Sequence, residues 1–359
     1  MEKGLSSLTI ISIILILLFG FSNGFAEDKT LMKYETIPGL NKKVSKLIFG
    51  TSSLGSESGY RYKFSVKERR KIFSLFDYAY MNGYVAFDAA SIYMLGESEK
   101  ILGEWISVNG IRSKIVIITK GAHPSYFFLP SKIYGSARLK ADQLKKDIET
   151  SLARLKTDYI DIYMPHRDDD KVRVSQIIEA LNIYVSANNI KLLGASNWKH
   201  ERIDEANKFA QAHGLAKFSI SSPHYSLFEW SYAPWKETHS IAGKRGEGSI
   251  KWYSENAMPI FAWSPLAGGF FNYLSLLSQK KNPYMNRENL KRLHKLKNLS
   301  REKELPISTL LLSYLLCQKG ISVFPIVKSI NYENICNNVQ ACDVQLSPQE
   351  LEYLYTASF

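Results

Sequence analysis

The stretch Phe87-Asp88-Ala89-Ala90-Ser91-Ile92-Tyr93 decides the reading of this chain. An apolar run ends in a carboxylate, and a tyrosine follows after a short turn of small residues. Two comparable runs come later. Ile115-Val116-Ile117-Ile118-Thr119 ends in Lys120, and Tyr159-Ile160-Asp161-Ile162-Tyr163-Met164-Pro165 ends in His166. Short apolar runs rich in β-branched residues read as buried strands. Asp, Tyr, Lys and His at or just beyond the carboxyl ends of such strands suit a barrel enzyme that moves a proton on or off an oxygen.

Strand and helix patterns alternate outward from that stretch. Residues 32–37 and 43–46 flank Pro38-Gly39-Leu40 and predict a small hairpin closing the barrel floor. Strands are expected at 46–51, 85–88, 115–120, 159–164, 191–196, 218–221, 259–263 and 323–327. Ser65 with Glu68 three residues on is a capping box, opening a helix to about Asn82 that Gly83 ends. Further helices are expected at 96–108, 137–155 and 174–186. Eight nearly all-apolar strands, each followed by a helix, predict a (β/α)8 TIM barrel with an N-terminal β-hairpin. Two connections, 222–249 and 268–286, are longer than a plain barrel needs. Both leave carboxyl ends of strands, where long loops serve as lids or specificity walls.

Composition sets the class. With 45% hydrophobic residues, 21 Tyr and 18 Phe, the 359-residue chain has ample core material and does not read as disordered. Its net charge of +12 is scattered rather than run together, which favours a basic surface or a pocket for a phosphorylated cofactor over a nucleic-acid partner. Cys317, Cys336 and Cys342 form no CxxC pair, so no metal site is expected, and the odd count suits reduced structural thiols. Cys336 and Cys342 are expected on one helix. No GxGxxG fingerprint opens a helix after a strand.

The first residues read as an address. Lys3 precedes an apolar run from Leu8 to Phe21, and small and polar residues follow to Ala26. This is the order of a secretory signal, with cleavage expected after Ala26. The run is shorter than the roughly 20 residues of a membrane span, although its density of Ile and Leu leaves a retained anchor open. Residues 1–26 are thus read as signal or anchor, and 32–359 as the barrel domain. A secreted, periplasmic or lumenal location follows, with membrane attachment if the segment is kept. Met32-Lys33-Tyr34 also looks like the natural start of a cytosolic chain, the less favoured location.

Reduction of a carbonyl needs a hydride donor and a proton for the developing alkoxide. Tyrosine holds its proton at neutral pH and gives it reluctantly, and a nearby cation favours the phenolate. Tyr93 fits the donor, Lys120 the cation, Asp88 the carboxylate that holds the cation, and His166 a group that orients the carbonyl oxygen. Singly, each has a plainer reading: a packing tyrosine, a solvent-facing lysine, a helix-capping aspartate. Together, in this order, they resemble the aldo-keto reductases, and the resemblance runs from about Met32 to the C-terminus.

That resemblance implies NADPH-dependent reduction of an aldehyde or ketone, with Asp88, Tyr93, Lys120 and His166 as the catalytic set. It implies a cofactor site of Gly50 and Thr51, then Ser196 and Asn197 for the nicotinamide carboxamide, then Trp263 as a stacking ring. Ser264, Leu266 and Gly268 would follow the pyrophosphate. Lys328, Ser329, Asn334 and Asn338 would hold the adenosine and its 2′-phosphate. Three positions depart from the family. Ser222 replaces a glutamine, Asn334 an arginine and Ala89 a threonine. The first two bear on cofactor affinity and on NADPH against NADH. A second reading is therefore kept: an exported or anchored barrel that binds a nucleotide or small ligand as a sensor or partner subunit. Neither oligomeric state, physiological substrate nor direction of reaction is legible.

Overall fold

In a computed structural model, the described residues are 32–52, 54, 64–124, 136–275 and 282–356. The expected leader lies outside them. Eight parallel strands close into a barrel. They are β3 (Ile48–Gly50), β4 (Ala86–Asp88), β5 (Val116–Gly121), β6 (Ile160–Pro165), β7 (Ile190–Ser196), β8 (Phe218–Ser222), β9 (Ile260–Ala262) and β10 (Val323–Val327), and β10 pairs back to β3. The short β1 (Tyr34–Thr36) and β2 (Lys43–Ser45) form the antiparallel hairpin.

Alternation along the strands explains where everything sits. Side chains of a strand point to opposite sheet faces in turn. Ile48, Ala86, Ile118, Ile162, Met164, Ile220, Phe261 and Phe324 pack together as one buried cluster inside the barrel. Phe49, Phe87, Ile117, Tyr163, Leu193 and Ala262, each one residue out of step, belong to the larger core under the helices. Two residues beyond an inward residue, the chain points inward again at the carboxyl rim. Gly50, Asp88, Lys120, His166, Ser222, Trp263 and Lys328 all stand at such positions. The strand period thus delivers these separated residues to one mouth.

Ile37, Leu40 and Val44 of the hairpin join the inner cluster and cork the other end. Lys42, in the hairpin turn, fixes this cork by pairing with buried Asp161 at 2.7 Å, and Arg112 pairs with the same carboxylate at 2.8 Å. Cutting Leu40 back to alanine would cost about 2–5 kcal/mol, as for other buried leucines.

Around the barrel stand α1 (Val66–Met81), α2 (Glu97–Asn109), α3 (Ala141–Leu155), α4 (Val174–Ser186), α5 (His200–Ala212), α6 (Glu247–Glu255), α7 (Arg287–Glu302), α8 (Ile307–Leu316), α9 (Tyr332–Gln340) and α10 (Pro348–Tyr355). The capping box forms as expected: Ser65 Oγ accepts from Glu68 N, and Glu68 accepts from Ser65 N. Gly103 lets α2 and α3 meet closely, since a Cβ there would lie 2.5 Å from the Leu155 carbonyl carbon.

Two expectations are corrected. The helix expected at 137–155 begins at Ala141, because Arg138 N is engaged with the Ala122 carbonyl at 3.2 Å, outside the helical pattern. Leu139 is buried all the same, as part of the loop. Cys336 lies on α9 and is exposed, whereas buried Cys342 falls beyond the end of that helix. Among the described residues no helix is long and apolar enough to cross a membrane.

Candidate active site

Lys120 organises the mouth. Its ammonium is paired with Asp88, lies 3.3 Å from the Ala89 carbonyl and 3.5 Å from the Tyr93 hydroxyl. Lys120 and Asp88 are both buried. Burial works to lower the lysine, but Asp88 and Tyr93 together hold its pKa above the ordinary value, so it is charged. Tyr93 sits in a tight turn after β4, where Met94 and Leu95 both take positive φ. Burial raises its pKa above the usual tyrosine value, with Lys120 pulling the other way. The expected lowering by lysine is present, but desolvation exceeds it.

The Tyr93 ring meets His166 edge-on, with centroids 5.7 Å apart. Burial, helped by the positive charge of Arg167, pushes His166 well below the ordinary histidine pKa, so it is neutral. Its Nδ1 is buried and meets no hydrogen-bond partner among the described residues. Tyr93 thus stands between Lys120 and His166 at the carboxyl rim, with a cation on one side and a neutral imidazole on the other. A carbonyl oxygen there can be oriented, polarised and protonated.

The expected cofactor residues divide. Ser196, Asn197, Ser222 and Trp263 are brought together. Ser196 Oγ donates to the Ser222 carbonyl at 3.3 Å and Ser222 Oγ to the Phe261 carbonyl at 2.9 Å. Trp263 is half-buried at the end of β9 and packs beside His224, Trp230 and Trp235. The turn after it carries positive φ at Ser264, Ala267, Gly268 and Gly269. Left-handed backbone costs a non-glycine residue about 1–2 kcal/mol. Within the turn, Ala267 N donates to the Ser264 carbonyl and Gly269 N to the Leu266 carbonyl, each at 2.9 Å. Gly268 is exposed, and a Cβ there would meet nothing within 4 Å. Leu266 packs partly on the core under the helices.

Gly50 lies against the end of β10, where a Cβ would meet Ile326 at 3.0 Å. Thr51 spends its hydroxyl on the Asp88 carbonyl and on Ser98 of α2. Lys328 is exposed beyond β10, yet desolvation lowers its pKa. Ser329 is buried and bonds both the N–H and the carbonyl of Asn331. On α9, Asn334 is exposed, while Asn338 is buried and hydrogen bonds Tyr84.

Several residues at the mouth were not anticipated. The His123 ring lies 5.1 Å from His166, and burial, with Arg167, lowers its pKa to about 4. Arg167 is buried and donates to the His166 carbonyl. His224 is fully buried, stacked on Trp230 at 4.1 Å, and bonds Ser240 at 2.7 Å and the Tyr284 hydroxyl at 3.0 Å. It thereby ties both long connections together. Asn289 and Arg292 of α7 bind Glu229 from below, at 3.0 and 2.6 Å. A position two beyond inward-facing Ser222 was the available signal for His224.

The aldo/keto reductase family model matches residues 46–358. The chain belongs to that family. It is an oxidoreductase, of a family that uses NAD(P). Among curated relatives, norsolorinic acid reductase B of Dothistroma septosporum is 31% identical, over 94% of this chain and 84% of its own length. A putative aryl-alcohol dehydrogenase, AAD14 of Saccharomyces cerevisiae, is 26% identical over 87% of this chain and 82% of its own. A crystal structure of the thermostable aldo-keto reductase Tm1743 with the inhibitor epalrestat superposes with a TM-score of 0.69 at 21% identity, covering 91% of this chain and all of that one. An aldo/keto reductase from Klebsiella pneumoniae, crystallised with NADP and acetate, gives 0.64 at 21% identity, over 87% and 90% of the two chains.

Proposed function

We propose that this aldo/keto reductase uses NADPH to reduce an aldehyde or ketone to an alcohol. The observation that carries the reading is Lys120, held by Asp88 and set 3.5 Å from the Tyr93 hydroxyl, beside neutral His166. Tyr93 gives its proton to the substrate oxygen. The charge on Lys120 stabilises the phenolate left behind. Asp88 keeps that lysine charged and in place. His166 orients the carbonyl.

A nicotinamide dinucleotide, when bound, supplies the hydride. The residues present fit it. Trp263 offers a ring face, Ser196 a hydroxyl, and Gly268 an exposed stretch of main chain with no side chain to keep a phosphate away. Lys328 supplies a cation for the 2′-phosphate, which supports NADPH over NADH. The aromatic wall of Trp230, Trp235 and Trp263 supports a flat, apolar substrate, and one relative is named for aryl alcohols.

The test is fluorescence titration of the full chain with NADPH and NADH, with turnover of a reactive aromatic aldehyde followed in the same cuvette. NADPH binding with turnover is expected. Binding without turnover favours the ligand-binding barrel, and no binding overturns the reductase reading. For residues 1–26 we propose a secretory signal or anchor. Sequencing the mature N-terminus in the native host decides it: a start at Glu27 means cleavage, and an intact Met1 with membrane fractionation means an anchor.

A further inference from the structure

Asn197 follows β7 with φ of +62°, a left-handed conformation that asparagine tolerates better than most residues. Its main-chain N–H donates to the Ser222 carbonyl at 3.1 Å. A side-chain amide has two N–H donors and one oxygen that accepts twice. Here all four positions are used within the protein. Nδ2 donates to the His166 carbonyl at 3.2 Å and to Ser196 Oγ at 3.1 Å. Oδ1 accepts the indole N–H of Trp263 at 3.1 Å and the main-chain N–H of His239 at 3.4 Å. An indole N–H can only donate and a carbonyl can only accept, so the amide has one allowed orientation.

Asn197 is thus where the ends of β6, β7, β8 and β9 and the 222–249 connection meet. We infer that Trp263 is a positioning residue in addition to a stacking surface. Its indole N–H clamps the Asn197 amide, and the amide in turn holds the His166 carbonyl and the Ser196 hydroxyl in register. Phenylalanine offers a ring face without the donor, and the tyrosine common in the family carries its hydroxyl at the ring's far end rather than on its side. The clamp also sets what Asn197 offers a ligand. The longest of its four bonds is the one to His239 N, so the lone pair facing His239 is the one a carboxamide N–H would take over. That last point rests on the reductase reading, whereas the clamp does not.

The direct test is hydrogen exchange of the tryptophan indole protons, read by NMR on the full chain without cofactor. The Trp263 signal is identified by its loss in Trp263→Phe. It should exchange about tenfold or more slower than that of Trp235, which is 52% exposed. Asn197→Gly suits the left-handed backbone and removes the amide, and it should bring the two rates together. Asn197→Asp keeps the accepting oxygen, and it should preserve the protection. Equal rates in the wild type, or protection that survives Asn197→Gly, overturn the clamp. Kinetics then test positioning. Trp263→Phe should lower kcat on a small aldehyde about tenfold at saturating NADPH. An unchanged kcat overturns the positioning role. If the wild type itself turns over no aldehyde, the reductase reading fails, and the exchange rates still decide the clamp.

Discussion

The ammonium of Lys120 stands 3.5 Å from the hydroxyl of Tyr93. Burial, helped by the charge of Asp88, drives the phenol upward, and the lysine is the largest influence acting against it. Lys120→Met removes that influence. Reduction should slow by about 100-fold or more, in line with the loss of an acid–base partner. The oxidation of an alcohol, which needs the phenolate, should rise at higher pH than in the wild type. A pH–rate profile in both directions checks the sign.

Tyr93→Phe removes the proton donor and keeps the ring against His166. Turnover should fall by at least about 100-fold, while the NADPH Kd moves by less than about threefold. Parallel loss of both would assign Tyr93 to packing.

His224 is fully buried, and burial lowers its pKa to about 3. The unfolded chain takes up a proton near pH 6.5, so stability is full above that pH and is lost as the pH falls toward 3. The loss already reached at pH 5 is about 2 kcal/mol. His123 and His239, with values of about 4, act in the same direction. Thermal melts from pH 8 to 5 should show Tm falling with acidity, and His224→Gln should flatten that slope.

Lys328 stands exposed at the rim beyond β10. Lys328→Met should weaken NADPH binding about tenfold or more and leave NADH binding nearly unchanged, because only the former carries a 2′-phosphate. Equal losses would place the lysine away from that group.

The strand period made most of this legible. Asp88, Lys120, His166, Ser222, Trp263 and Lys328 each end or follow an apolar run, and two-residue alternation carries them to the inner rim without knowledge of the tertiary structure. Asn197 was legible as a polar residue beyond β7, but its four partners were not. They come from β6, β7, β9 and a long connection, and no local pattern encodes such meetings. The same holds for Glu229 with Asn289 and Arg292, about sixty positions apart. The start of α3 was misread because buried Leu139 continues an apolar stripe that the backbone has not yet begun to follow. Cys342 was misplaced because the helix carrying Cys336 stops at Gln340.

The hairpin that corks the barrel has a consequence for how the chain is made. Glu35, on its first strand, accepts from the Ser322 hydroxyl at 2.6 Å, and Leu40 and Val44 share a cluster with Phe324. The earliest part of the barrel domain to be synthesised therefore completes its contacts only when nearly the whole polypeptide exists. If residues 1–26 direct export, the segment that must wait longest follows directly behind the export signal. Until the last strand arrives, the part of the hairpin that meets Ser322 and Phe324 stays uncovered and open to a chaperone.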